Sequence, residues 1–383
     1  MNHSETTPEA RDVAPYLREI EVVAQRGHKD PSTENLLLAL VNTHHNRPDI
    51  FERFATLLLQ LAQQQQLEIT PRAFRLSLLT AIKLYLRKSL IKEYESFSIA
   101  SWQQVVRNCL SEYDEEFLYS CLRDVSTVKI YRYIALQLVG GILKHSNVMP
   151  PQGVCILDGG CSINIGLKCL NNLDIFRSVQ LSQELVMVFG GNVPDFPIKC
   201  ALGIDKYPPD LERTLASLFP SEVKRWENLY TRLYYLDKSR IRYQQQDFLF
   251  LERNEEFRSQ FDIIFLSSLL RRLSPHQVAD ALRQAHYATT PHSFVVINEQ
   301  MAEETIEGGG NYATFILPKT LLERVVLQAG QEIKLYDLLN MAYQVFVYPD
   351  ENCQSVHAGS NFHDFVREYS WLSAERNAGK GKK

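Results

Sequence analysis

The sequence predicts an α/β fold: a mostly parallel sheet closed by an antiparallel C-terminal hairpin and preceded by an all-α domain. Three observations carry this. From about Val13 to Leu143 the apolar residues recur at helical spacing. After a break at Lys144–Gly153 (KHSNVMPPQG) short β-rich runs alternate with helical patterns, the signature of βαβ units. Small and acidic residues stand at the ends of successive strands, where an open parallel sheet collects its ligand-binding loops.

The helical half is read from periodicity. Ile50 to Gln66 places Phe51, Phe54, Leu57, Leu58 and Leu61 on one helix face, and Phe74 to Tyr94 repeats the pattern with Leu78, Ile82, Tyr85 and Leu86. Asn35–Val41, Trp102–Tyr113, Glu116–Val125 and Val128–Leu143 complete the helices. His44 and His45 are expected in a surface loop. Lys83, Arg87, Lys88 and Lys92 form a basic stripe at helical spacing, expected as a solvated face.

In the second half the candidate strands are VCILDG (154–159), CALGID (200–205), IRYQQQD (241–247), FDIIFLS (261–267), SFVVINE (293–299), EIKLYDL (332–338) and AYQVFVYP (342–349). The last two abut and are read as the hairpin. The resulting division is a helical N-terminal domain over 1–147, a nucleotide-binding domain over 148–352, and a C-terminal extension over 353–383 whose tail, from Gly359, is expected to be mobile.

Composition narrows the class of function. A 45% hydrophobic and 22% charged chain has enough apolar residues for a sizeable core. The net charge of −4 gives no general attraction to nucleic acid or an anionic membrane, so neither is an expected partner. No apolar run reaches the ~18 residues of a spanning helix, and the polar N-terminus lacks the grammar of a signal peptide. A cytoplasmic protein is expected. The seven cysteines include no CxxC pair and are expected as reduced thiols, with no metal site.

The chemistry is concentrated at four strand ends. Asp158-Gly159-Gly160-Cys161-Ser162-Ile163-Asn164 joins the first strand to a helix, with the small residues that let a nucleotide approach the backbone. Asp205 ends the second strand, where a carboxylate can accept both hydroxyls of a ribose. Asp247 follows the third strand, and Ser267 ends the fourth.

Taken in order, these elements resemble the class I S-adenosylmethionine-dependent methyltransferase family over roughly 154 to 348. LDGGCSIN resembles its first motif, ALGIDKYPPDLERT its second and RIRYQQQDFLF its third. FDIIFLSSLLRRLSPHQVADALRQAHYATTPHSFVVINE resembles the fourth strand, its helix and the fifth strand, and LLERVVLQAGQEIKLYDLL with AYQVFVYP the last helix and terminal hairpin.

The resemblance implies a Rossmann-like methyltransferase sheet that binds S-adenosylmethionine and a small-molecule acceptor. It places Asp158, Gly159, Gly160 and Ser162 around the donor's amino-acid portion, Asp205 at the ribose, Asp247 with Phe248 behind it at the adenine, and Ser267 near the methyl group. The helical domain would cap the site, select the substrate or form a homodimer.

The sequence departs from the family in three places. Ser162 and Asn164 stand where the family often has glycines. Asp158 and Asp205 are 47 positions apart, against ~20 in a simple dinucleotide-binding unit, so 171–198 reads as an inserted lid, and 221–236 as an extra helix. After the fourth strand stands Leu270-Arg271-Arg272-Leu273, where some relatives carry a general-base histidine; Arg271 and Arg272 read first as a solvated helix end, with the holding of an acidic substrate as the alternative role, and His276 reads as a surface residue. No catalytic residue is assigned. A non-catalytic methyltransferase-fold protein that binds proteins or ligands is the alternative. The loop over Glu299–Phe315, with Gly308, Gly309, Gly310, Asn311 and Tyr312, is read as a flexible connection able to reach a substrate.

Overall fold

The computed structural model describes residues 13–125, 128–144, 150–301, 312–350 and 352–369. The chain begins with α1 (Ala14–Arg26), α2 (Pro31–Asn46), α3 (Pro48–Gln64), α4 (Pro71–Lys88), α5 (Ile99–Ser111) and α6 (Glu115–Leu122). A 3-10 turn, Ile130–Tyr133, leads into α7 (Ile134–Leu143). Next come β1 (Val154–Gly159), α8 (Ile165–Cys169), α9 (Leu173–Phe176), β2 (Gln180–Leu181), α10 (Gln183–Phe189) and β3 (Ile198–Asp205). Then follow α11 (Leu211–Ser217), α12 (Pro220–Tyr235), β4 (Ile241–Gln245), β5 (Phe261–Ser267), α13 (Pro275–Ala288) and β6 (Thr289–Gln300). The chain closes with β7 (Tyr312–Pro318), α14 (Lys319–Ala329), α15 (Leu335–Met341), β8 (Tyr343–Tyr348), β9 (Ser355–Ala358) and α16 (Phe362–Tyr369).

Two compact units result. The first is 1–127 with 210–232, the second 128–209 with 233–383. The helical unit therefore gains a segment from between β3 and β4, and gives up 128–147 to the sheet-bearing unit.

Local chemistry starts the helices of the first unit. Asp30, Thr70, Ser98 and Asp114 each cap a helix by accepting the amide of the third residue onward: Thr33, Ala73, Ser101 and Phe117. Proline opens α2, α3 and α4, where its missing amide costs nothing. Phe51, Phe54 and Leu58 face a core shared with Leu78, Ile82, Trp102 and Val106. His44 and His45 lie in the last turn of α2 rather than in a loop, and both face Glu21 of α1, at 3.8 and 3.4 Å.

The basic stripe is a solvated face only in part: Lys88 and Lys92 are exposed, whereas Lys83 and Arg87 of α4 are not. Lys83 is buried and donates to the carbonyl of Leu218 at 2.7 Å. Arg87 is buried and bridges Glu212 and Glu227, each at 2.7 Å. Asp30 accepts the amide of Ser221 at 3.2 Å. These contacts bind α11 and α12 into the helical unit, which accounts for the long interval between β3 and β4.

The second unit is built on one nine-stranded sheet of order β2-β9-β8-β7-β6-β5-β1-β3-β4. The pairs β4–β3, β3–β1, β1–β5 and β5–β6 are parallel; β6–β7, β7–β8 and β8–β9 are antiparallel. The chain moves outward from β1 to β3 and β4 on one side and through β5 and β6 on the other, so the strand order reverses between β1 and β5. Ligands of open α/β sheets bind at the carboxyl ends beside such a reversal. One sheet face packs Leu157, Ile264, Leu266, Val295 and Ile297 against Val278 and Leu282 of α13 and Leu322 of α14. Alternation sends Asp158, Phe265, Ser267, Val296 and Asn298 to the other face.

The C-terminal antiparallel end is made differently from the hairpin expected of 332–338 and 342–349. The segment from Leu335 is the helix α15, because Leu335, Leu338 and Leu339 fall on one helical face. The antiparallel partner of β6 is instead β7, whose seven residues are all buried. Tyr312, read as part of a flexible connection, begins that strand; Gly308, Gly309, Gly310 and Asn311 lie outside the described residues.

The chain after Gly359 is not loose throughout. Helix α16 buries Phe362, Phe365 and Val366, while 370–383 lie outside the described residues. The insertion at 171–198 does not form a free lid either. Its β2 pairs with β9, and Pro194 and Phe196 fill the space beside Gly141 and Gly140. The seven cysteines carry free thiols, and no described helix is long and apolar enough to cross a membrane.

Candidate functional site at the carboxyl ends of the parallel strands

The turn after β1 is held by backbone and side-chain bonds to β3. The amides of Gly160 and Cys161 both donate to the carbonyl of Ile204, at 2.9 and 3.0 Å. Gly160 has φ +78°, a conformation natural to glycine, and a β-carbon there would come nearest to Leu269, at 3.4 Å. Ser162 and Asn164 also adopt left-handed backbone, with φ 54° and 56°. At these two positions the turn keeps a glycine-like path without glycine.

Asn164 shows how. Its Nδ2 donates to the carbonyl of Arg242 at 2.9 Å, and its side chain fills the space over Gly203. A β-carbon on Gly203 would lie 2.2 Å from Asn164 Oδ1. The asparagine therefore points behind the turn, into the sheet.

Asp205 ends β3 with both carboxylate oxygens engaged by the backbone. Oδ2 accepts the amide of Ser162 at 2.9 Å, and Oδ1 that of Tyr207 at 3.1 Å. A carboxylate has about four lone-pair sites, so acceptor capacity remains. Asp247 is tied alongside, since the neighbouring Gln246 amide donates to the carbonyl of Asp205 at 2.9 Å. Its own Oδ1 accepts the amide of Leu249 at 2.9 Å. Phe248 is buried against Gly159, where it closes the core under the turn.

Asp158, at the end of β1, is 1% exposed and accepts a hydrogen bond from the Tyr133 hydroxyl at 2.5 Å. Burial pushes its pKa up to about 7, with the charge of Asp205 adding to the effect and the Tyr133 bond opposing it. Burial also holds the Tyr133 phenol well above its ordinary value. The Tyr133 ring lies over Gly166, where a β-carbon would meet it at 1.8 Å, and its centroid is 5.1 Å from that of Phe265.

At β5 and β6 stands a second set of polar groups. Ser267 and Ser268 follow each other at the end of β5, and the Ser268 amide donates to the carbonyl of Asn298 at 2.9 Å. Asn298 donates through Nδ2 to the carbonyl of Arg132 at 3.3 Å. Arg132 donates to the Tyr312 hydroxyl at 2.6 Å and lies 4.6 Å from that ring's centroid. On the opposite sheet face Glu299 is buried, accepts the Leu270 amide at 2.9 Å and lies 4.0 Å from Nε of Arg271. His276, near the capped start of α13, is exposed and bonded to the carbonyl of Gln331 at 2.9 Å.

The predicted residues Asp158, Gly159, Gly160, Ser162, Asp205, Asp247 and Ser267 thus collect along the carboxyl edge of β1, β3, β4 and β5, with Phe248 beneath them. Sequence reasoning missed Arg132, Tyr133 and Asn298. The first two sat inside an apolar helical run (KIYRYIALQ); the only signal for the third was a polar pair, Asn298-Glu299, closing an apolar strand.

The sheet order, with parallel β4-β3-β1-β5-β6 and an antiparallel end, gives this unit a Rossmann-like α/β fold. No family model and no curated protein matches the chain. Among solved structures it is similar to PKMT2 from Rickettsia typhi, at 13% identity over 46% of this chain and 27% of that one, with a TM-score of 0.26. It is similar to an S-adenosylmethionine-dependent methyltransferase from Mesorhizobium loti at 19% identity, over 40% of this chain and 50% of that one, TM-score 0.23. It is also similar to the 1,6-didemethyltoxoflavin-N1-methyltransferase of Burkholderia thailandensis, at 14% identity over 55% and 64%, TM-score 0.25. The matches span less than two thirds of each of these proteins' own length, and at such scores they carry no weight for function.

Proposed function

We infer that this chain is an S-adenosylmethionine-dependent methyltransferase acting on a small molecule. The observation that carries the reading is Asp205: a carboxylate at the carboxyl end of β3, both oxygens oriented by backbone amides, beside a glycine turn at the strand-order reversal. Its remaining lone pairs suit the two hydroxyls of a ribose. The donor, when bound, supplies a methyl group on a sulfonium. Gly160 leaves its backbone open to the donor's amino-acid portion, Asp247 stands where an adenine would end, and Ser267 presents an unpartnered hydroxyl at the end of β5. These residues bind and orient; positioning of two reactants is itself a large part of such a transfer.

Isothermal titration of the full chain with S-adenosylhomocysteine tests this. Binding is expected, and Asp205→Ala should weaken it by roughly tenfold or more, the loss of about one or two hydrogen bonds to a charged acceptor. A folded protein that shows no heat with S-adenosylhomocysteine sinks the reading.

One observation favours a second reading, a methyltransferase fold used only for binding. Tyr133 covers Gly166 and engages Asp158, occupying space over the turn. On that reading Tyr133→Ala, and not the wild type, gains affinity for S-adenosylhomocysteine.

A further inference from the structure

Arg132 is 6% exposed, yet no carboxylate lies within ion-pair distance of it among the described residues. Its Nε is buried without a hydrogen-bond partner. A buried guanidinium is costly unless it is paired. Stacking on Tyr312 and the charge of Glu299, which acts from beyond ion-pair distance, offset part of that cost, but neither gives Nε a partner. The neighbouring groups are incomplete in the same way. Asn298 is fully buried with Oδ1 unpartnered, and the hydroxyls of Ser267 and Ser268 are buried and unpartnered as well. Register puts Ser267 beside Asn298 and on the same sheet face; Asn298 holds the backbone carbonyl of Arg132, while the Arg132 guanidinium donates to the Tyr312 hydroxyl. Native proteins leave few such atoms unpaired, and a cluster of them near a buried guanidinium with no direct ion pair calls for a missing partner.

We propose that Arg132, with Ser267, Ser268 and Asn298, forms a carboxylate-binding subsite that makes the methyl acceptor a small organic acid. The assignment to the acceptor rests on the methyltransferase reading; the anion site itself does not. The Arg132 guanidinium lies on Tyr312 at the start of β7 and its backbone carbonyl is held by Asn298 of β6, whereas the donor turn and Asp205 lie at β1 and β3, on the other side of β5. Its Nε–H and the two hydroxyls supply donors to a carboxylate. Asn298 Oδ1 supplies an acceptor, which suits a hydroxyl or amino group close to that carboxylate. Arg271, the basic residue the sequence offers for this role, faces Glu299 and hydrogen-bonds Gln300, so its charge is already met.

The test is thermal unfolding of the full chain with benzoate, benzamide, inorganic phosphate or sodium chloride at matched ionic strength. Benzoate should raise the melting temperature by about 2–4 °C over chloride at several times its Kd, with benzamide and phosphate giving less. Arg132→Met and Arg132→Gln should each abolish the benzoate shift and leave the affinity for S-adenosylhomocysteine within about threefold of wild type, roughly the 0.6 kcal/mol of one RT. Arg271→Gln should keep the shift. The proposal is overturned by no benzoate shift in the wild type, by a phosphate shift as large, or by a shift that survives in a folded Arg132 variant. It is overturned too if the folded variants lose S-adenosylhomocysteine, which makes the donor's own carboxylate the anion. A wild type that binds benzoate but not S-adenosylhomocysteine keeps the anion site and removes the methyltransferase reading instead.

Discussion

The Tyr133 hydroxyl donates to Asp158 across 2.5 Å, and both groups are buried. Asp158 ends the first strand, and Tyr133 belongs to the turn ahead of α7, so the bond fixes the segment before the sheet onto its central strand. Burial, which the bond opposes, makes Asp158 a titrating group near neutrality by raising its pKa to about 7.

That value has a signed consequence for stability. Between the unfolded pKa near 3.8 and the folded value near 7, the folded chain holds a proton the unfolded chain has released. Stability contributed by this group therefore falls as pH rises through that window and levels off above it. Asp158→Asn keeps an acceptor for Tyr133 and cannot ionise. Between pH 5 and pH 8 the difference in urea unfolding free energy between variant and wild type should move in favour of the variant. The expected movement is about 2–3 kcal/mol, at roughly 1.36 kcal/mol per unit over the part of the window that is crossed. An equal difference at the two pH values would show that Asp158 does not titrate in this way.

Asn164 and Gly203 are coupled in the turn itself. Gly203→Ala places a β-carbon 2.2 Å from Asn164 Oδ1 and 2.7 Å from Cys161 Sγ, and should cost about 1–3 kcal/mol or more by overpacking. Asn164→Gly accepts the left-handed backbone but loses the bond to Arg242, a loss of about 1 kcal/mol. The double variant should be more stable than the sum of the two predicts, since the glycine vacates part of the space the new methyl needs. Strict additivity in denaturant unfolding would contradict the packing described.

Glu299 illustrates a buried acid that serves structure. Its Oε1 accepts the Leu270 amide, and burial raises its pKa despite the charges of Arg271 and Arg132. Glu299→Gln keeps an acceptor and removes a buried charge, so it should match or exceed the wild type in stability at pH 8. Glu299→Ala leaves the Leu270 amide without a partner and should lose about 1–3 kcal/mol. Differential scanning calorimetry of the pair decides it; a glutamine variant as unstable as the alanine one would mean the charge itself is required.

The parallel core was legible because its strands are short apolar runs that stop at acids or small residues. VCILDG and FDIIFLS coincide with β1 and β5. The antiparallel end was not, for two physical reasons. KLYDLLNM satisfies both a period of two and a period of 3.6, and only packing decides between them. YATFILP follows three glycines, whose loop signal masks a fully buried strand. Of the site, the turn and Asp205 were visible because their residue types are unusual at strand ends. Arg132 and Tyr133 were not, since a polar group enclosed by tertiary packing leaves no local mark in an apolar helical run.

Lys83 and Arg87, the two buried members of the basic stripe, escaped the reading for a related reason: their partners lie more than a hundred positions away. Arg87 has no exposed side-chain surface and holds Glu212 and Glu227 at 2.7 Å each, while those acids remain partly exposed. Arg87→Ala therefore leaves a small cavity and two carboxylates that water can reach, so the cost should fall at or below the low end of the 3–5 kcal/mol for broken buried pairs, about 2–3 kcal/mol. Glu212→Gln and Glu227→Gln, which each leave one anion on the guanidinium, should cost less than the alanine change. Because the guanidinium is enclosed, raising the salt should do little to the Arg87→Ala difference, whereas a solvated pair would weaken as ions screen it. Urea unfolding at low and high salt separates these outcomes: a difference that vanishes at high salt returns the stripe to the surface role its sequence suggested.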